Sequence, residues 1–164
     1  MAAPAYTRLP VDERRRRLLE LGAELFARHP YEELSMRRIA REAGISKALL
    51  YHYFPSKQRF FAATLAQAAR EVARRTEPDP SLPAAEALSA SLDAFLGWVE
   101  ENGLAYERLI RGAAAVPEVG ELVDQVRDAT AQRILAGLEA PGATARAAVR
   151  GWLWFMDGAI LDWL

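Results

Sequence analysis

The sequence predicts an all-α fold in two helical parts. Three observations carry this: apolar residues recur every three or four positions along almost the whole chain, no stretch alternates like a strand, and the prolines of EPDPSLP, residues 77–83, interrupt the pattern near its middle. With 164 residues, 51% apolar and 26% charged, the chain suits one sizeable core or a small module joined to a larger one.

The elements follow in order. A first helix is predicted from Pro10 or Asp12 to Arg28, with Leu18, Leu21, Leu25 and Phe26 as its apolar stripe, and HPYEE, residues 29–33, breaks it. Helix two follows Ser35, places Met36, Ile39, Ala40 and Ala43 on one face, and stops at Gly44, a residue suited to a left-handed cap. Helix three spans Lys47 to Phe54 and ends at Pro55; helix four runs from after Ser56 to about Arg75. Beyond EPDPSLP, a fifth helix is expected to Asn102, a sixth from Leu104 to Val116, a seventh from Pro117 to Leu138, and an eighth from Thr144. The eighth still runs in register at Trp163-Leu164 without a stop signal, so a longer natural chain with at least one more helix is expected.

Several function classes find no support. Cysteine is absent, which excludes disulfides, thiolate metal sites and a cysteine nucleophile. The two histidines, His29 and His52, form no His-Glu-x-x-His pair, so no metal and no cofactor is expected. No Gly-x-Ser-x-Gly, no Gly-rich phosphate loop and no carboxylate cluster with a histidine occurs, and an enzyme is not expected. There is no run of 18 apolar residues, and MAAPAYTRLPVDERRRR lacks an apolar signal core, so the expectation is a cytoplasmic protein without a membrane partner.

The net charge of −1 hides a division. Residues 1–76 hold fifteen Lys and Arg against eight Asp and Glu, whereas residues 77–164 hold six against fourteen. Such asymmetry points to a polyanionic partner for the first part alone.

Helices two, three and four open Ser-Met-Arg-Arg, Ser-Lys and Ser-Lys, from Ser35, Ser46 and Ser56. The positive end of the helix dipole makes cations unfavourable there, and the first, fifth and seventh helices carry acids in their opening turns instead. A free backbone N–H, a hydroxyl and a cation at one point describe a phosphate site, and three in succession suit a polymer of phosphates. Helix two, the turn Ala43-Gly44-Ile45-Ser46 and a short third helix also have the spacing of a helix-turn-helix, whose second helix enters the major groove. On that helix Leu50 and Phe54 share the buried side, while Ala48, Leu49 and His52 point away, flanked by Tyr51 and Tyr53.

The stretch LSMRRIAREAGISKALLYHYFPSKQRFF resembles the DNA-binding signature of the TetR family of bacterial repressors, and DERRRRLLELGAELFARHPYEEL resembles that family's first helix and following loop. The resemblance covers residues 12 to about 65. It implies a helix-turn-helix DNA-binding domain over residues 1–56, a connecting helix four over 57–76, and an effector-binding and dimerisation domain over 77–164 lacking its natural last helix. It implies that Arg37 reaches a base edge, that Ser35 and Ser46 hold phosphates, that Lys47, Ala48 and Leu49 meet bases, and that Tyr51, His52, Tyr53 and Lys57 meet the backbone. Many members carry a small polar pair where this chain has Ala48-Leu49; Leu49 can touch a thymine methyl but cannot hydrogen-bond.

The resemblance further implies a homodimer on a palindromic double-stranded operator, released by a small apolar effector, with the interface in the last two helices. Residues Phe95, Trp98, Val99, Asn102, Tyr106, Leu109, Ile110 and Met156 are the expected effector pocket, with Arg108, Arg111 or Asp157 as polar anchors. The competing readings are a helical ligand-carrying or protein-interaction module and a non-specific nucleoid-type DNA binder. Basic charge spread over the whole chain would mark the latter, and here the second part is acidic.

Overall fold

A computed structural model describes residues 10–164; the first nine residues of the expected DNA-binding part lie outside it. Among the described residues there are seven α-helices and no strand. The chain forms two compact units, the first through Thr64 and the second Leu65–Leu164.

In the first unit, α1 (Val11–Arg28) starts after Pro10 with Asp12 and Glu13 in its first turn, as the dipole prefers. Its buried face is Leu18, Leu19, Gly22, Leu25 and Phe26, while Leu21 is only half-buried. The face is therefore rotated slightly from the expected stripe, towards the i, i+1, i+4 positions that centre on Gly22. A 3-10 turn (Tyr31–Glu33) leads to α2 (Met36–Glu42), α3 (Lys47–Tyr53) and α4 (Lys57–Arg75). Gly44 sits at φ +64°, the left-handed conformation that turns the chain between α2 and α3 at little cost only for glycine.

Ile39, Leu50, Phe54 and Phe60 are fully enclosed, each burial contributing about 2 kcal/mol. The Phe26 ring lies 4.4 Å from Phe61 and 5.8 Å from Phe60, and Phe54 meets Phe60 edge-on at 4.9 Å. A Cβ at Gly22 would stand 2.6 Å from Thr64 Oγ1 and 2.7 Å from Phe60 Cζ, so the missing side chain is what lets α1 and α4 approach. This core holds α3 by Leu50 and leaves its other sides to solvent.

In the second unit, the Pro-rich segment turns on Asp79, whose Oδ1 accepts from the Ser81 backbone N–H at 2.8 Å and its hydroxyl at 2.6 Å. Then come α5 (Ala84–Ala115), α6 (Pro117–Ala136) and α7 (Ala143–Trp163). The expected fifth and sixth helices are one element, kinked rather than broken. Only Asn102 leaves helical geometry, at φ −127° and ψ 22°, and its Nδ2 donates to the Trp98 carbonyl at 2.9 Å, occupying an acceptor at the kink. With neither a proline nor a loop at this point, the helix resumes at once. Val99, Tyr106 and Ile160 form the centre of this unit.

Candidate nucleic-acid interface

Each of the three basic helix starts is capped by its own serine. Ser35 Oγ accepts from the Arg38 N–H at 3.2 Å, Ser46 Oγ from Leu49 at 3.1 Å, and Ser56 Oγ from Arg59 at 3.1 Å. The helices α1, α5, α6 and α7 have no side-chain cap. The caps fix the direction of α2, α3 and α4 at their first turns, and each hydroxyl keeps its proton free to donate outward.

The three starts converge. A cleft of about 530 Å³ is lined by Ser35, Arg37, Lys47, Tyr51, Ser56 and Lys57, with Glu32 its one acidic lining residue. Ser35, Arg37, Ser46, Lys47, Ala48, Tyr51 and His52 are exposed, and Leu49 and Tyr53 half-buried. Lys47 Nζ lies 5.5 Å from the centre of the Tyr51 ring, and His52 meets Tyr53 edge-on at 5.6 Å. Seven residues of α3 give a rod of about 10 Å, close to the width of a major groove.

Two side chains have partners that the sequence does not reveal. Lys57 Nζ donates to the carbonyls of Tyr31 and Leu34 at 2.9 and 3.0 Å and lies 4.0 Å above the Tyr31 ring. Arg38 is half-buried, with Nη2 2.8 Å from His29 Nε2. The sequence marks Ser56 only as a helix start, yet it lines the cleft; its Ser-Lys opening is the signal that places it there.

In the second unit, Phe95, Trp98, Ile110 and Met156 pack around Val99, Tyr106 and Ile160, together with Leu96. Leu109 is half-buried, and Asn102 bonds its own helix. Of the expected anchors, Asp157 accepts from the Tyr106 hydroxyl at 2.6 Å and from Arg127 at 2.6 and 2.9 Å; Arg111 pairs with Glu107 at the surface, and Arg108 is half-buried. Burial first, and then the bond to Asp157, hold the Tyr106 phenol well above the ordinary tyrosine range. Arg127 is the residue the sequence does not single out: it lies between Val126 and Asp128 on α6 and finds Asp157 thirty positions away. A hollow of about 260 Å³ beside it contains Arg127 and Arg150, both paired with carboxylates.

No described helix is long and apolar enough to cross a membrane, and no described group of His, Cys, Asp and Glu could hold a metal ion.

Comparison with known proteins converges on the same two units. Residues 18–64 match the profile of bacterial regulatory proteins of the tetR family, and residues 84–164 that of a tetracyclin repressor-like C-terminal domain. The chain is 29% identical over 122 residues to the HTH-type transcriptional repressor KstR of Rhodococcus jostii, covering 70% of this chain and 58% of that protein. It is 36% identical over 109 residues to the HTH-type transcriptional activator FasR of Mycolicibacterium smegmatis, covering 63% and 48%. The chain thus spans about half the length of these curated relatives. A solved tetR-family regulator from Streptomyces coelicolor superposes with a TM-score of 0.81 at 33% identity, covering 94% of this chain and 72% of that one. A regulator from Pseudomonas aeruginosa, at 21% identity and a TM-score of 0.75, shares the fold. Serine-capped helix starts around one basic cleft, matches to both domain profiles and the Streptomyces likeness agree: the chain belongs to the TetR family of bacterial transcriptional regulators.

Proposed function

We propose that this protein is a cytoplasmic, ligand-responsive transcriptional repressor that binds a palindromic operator as a homodimer. The observation that carries the reading is the convergence of Ser35, Arg37, Lys47, Tyr51 and Ser56 on one open cleft beside α3. Phosphates meet the Ser35 and Ser46 hydroxyls, Tyr51, His52, Tyr53 and, in place of the base edge expected for it from the resemblance, the exposed ammonium of Lys47, while Arg37, Ala48 and Leu49 face base edges. Arg37 matches the paired acceptors of guanine, and Leu49 a thymine methyl.

The exposed face of α7 supports the dimer. Ala147, Ala148, Gly151, Trp154, Phe155 and Gly158 are all exposed and share one side of the helix, with Trp154 at 63% and Phe155 at 64% exposure. A second copy buries that face. The effector is a small, largely apolar molecule that enters the cluster around Phe95, Trp98, Val99 and Met156, with Leu109, Ile110 and Asn102 at its margin and the Tyr106–Asp157 pair as the polar contact. Opening that cluster shifts the separation of the paired recognition helices, and a dimer reads two half-sites only at matching separation.

Selection of bound sequences from a random DNA pool, repeated with candidate effectors present, tests the reading. A recovered palindrome that one compound releases supports it. Equal recovery of all duplexes favours a nucleoid-type binder, and no recovery favours a helical ligand-carrying or protein-interaction module.

A further inference from the structure

We infer that Lys57 is a positioning residue that sets the start of α2, and that it is not a phosphate ligand. The inference rests on the operator-binding reading above. An ammonium has three donors, and here two are spent on main-chain carbonyls: Tyr31 O at 2.9 Å and Leu34 O at 3.0 Å. Its charge lies 4.0 Å above the Tyr31 ring. These partners precede it by 26 and 23 residues, so the contact is tertiary and joins the first residue of α4 to the segment entering α2.

The place of the contact decides its consequence. Leu34 is the residue immediately before the cap Ser35, and its side chain is 1% exposed, anchored in the core. Tyr31 O also accepts the Leu34 N–H at 3.3 Å, so one carbonyl gathers both the turn and the lysine. Lys57 therefore fixes the peptide from which Ser35 and Arg37 are presented. It also accounts for the cation at the start of α4, which the helix dipole disfavours: two carbonyl oxygens and a ring face supply the opposing negative potential. Lys47, whose ammonium is exposed and has only the distant Tyr51 ring beside it, has no comparable engagement among the bonds seen here.

The two roles differ in salt dependence. A lysine on a phosphate contributes about 0.9 to the slope of log affinity against log salt, whereas one that works through backbone geometry contributes none. The full-length protein is compared with K57M and K57R on its selected operator across salt concentrations. Amide NMR shifts of residues 34–37 are recorded in the free protein, and thermal melting checks the fold. The expected result is that both variants weaken binding about ten-fold or more with the salt slope unchanged, K57R failing because a planar guanidinium does not replace a point charge between two carbonyls. The 34–37 amides shift in both. A slope lower by about 0.9 in K57M with full affinity in K57R overturns the inference, as do unmoved amides. If the wild type binds no duplex, the operator reading fails, and the amide shifts of the free protein still decide whether Lys57 sets α2.

Discussion

The hydroxyl of Tyr106 donates to Asp157 Oδ1 at 2.6 Å, tying the second half of α5 to α7 across 51 residues of sequence. The other carboxylate oxygen takes two bonds from Arg127 on α6, so one aspartate fastens three helices. Arg127 in turn lies 4.1 Å over the exposed Trp154 ring. A half-buried carboxylate with this many donors holds the helices of its unit in one arrangement, and anything that competes for it would release them.

Removing the donor is expected to cost less than removing the acceptor. Tyr106→Phe deletes one bond and costs about 1 kcal/mol, whereas Asp157→Ala strands Tyr106, leaves Arg127 with only the exposed Asp124, 3.0 Å from its Nη1, and costs about 2 kcal/mol or more. Chemical denaturation of each variant at neutral pH measures the order; equal costs would show that the bond from Arg127 to Asp124 is enough to satisfy it.

Alkali should act through the same phenol. Its proton is held more tightly in the folded chain than in the unfolded one, so its contribution to stability is complete below the ordinary tyrosine pKa, about 10, and is lost as pH rises above that value. Between pH 9 and pH 11 the wild type should lose about 1.4 kcal/mol more than Tyr106→Phe. Parallel losses in the two proteins would refute the assignment.

Recognition at the cleft divides between charge and shape. Lys47→Ala is expected to weaken binding of every duplex and lower the salt slope by about 0.9, while Arg37→Ala should relax selectivity at one base position, costing about 1–3 kcal/mol of discrimination. Competition with single-base operator variants at two salt concentrations separates them.

What was legible in the sequence was what local chemistry dictates. The serines of LSMRRIAREAGISKALLYHYFPSKQRFF mark three helix starts because a hydroxyl at that position satisfies a free N–H, and Gly44 marks the turn because its φ is positive. Leu50 and Phe54 announce the buried side of α3 by spacing alone. Illegible were the contacts that fold closure makes: Lys57 on carbonyls more than twenty residues upstream, and Arg127 on Asp157. A cation reads the same in sequence whether it faces a phosphate or a carbonyl. The pair Asn102-Gly103 reads in sequence as a helix end, whereas in the structure Asn102 alone leaves helical geometry and the helix continues through Gly103.

A charged residue on the outer face of α7 should keep the chain monomeric. Phe155→Arg places a cation at a side chain 64% exposed, so little stability of the single chain is lost, while a second copy would have to bury it. Sedimentation equilibrium is expected to show a dimer for the wild type and a monomer for the variant. Unchanged mass would move the interface elsewhere.

Two glycines should respond to alanine with opposite signs. Both lie inside helices, where alanine is favoured over glycine by about 1 kcal/mol. At Gly97 nothing stands within 4 Å of an added Cβ, so that preference should appear undiminished and Gly97→Ala should stabilise the protein by about 0.5–1 kcal/mol. At Gly22 the same methyl meets Thr64 Oγ1 at 2.6 Å and Phe60 Cζ at 2.7 Å, and Phe60 cannot retreat because Phe26 and Phe54 hold its ring. Overpacking of this kind costs about 1–3 kcal/mol, more than the helix preference returns, so Gly22→Ala should destabilise. Because Gly22 sits behind the aromatic core that seats α3, its loss should also weaken operator binding, with the salt slope preserved. Thermal melts of the two variants decide the signs, and a Gly22→Ala protein as stable as the wild type would mean that α1 and α4 can separate without cost.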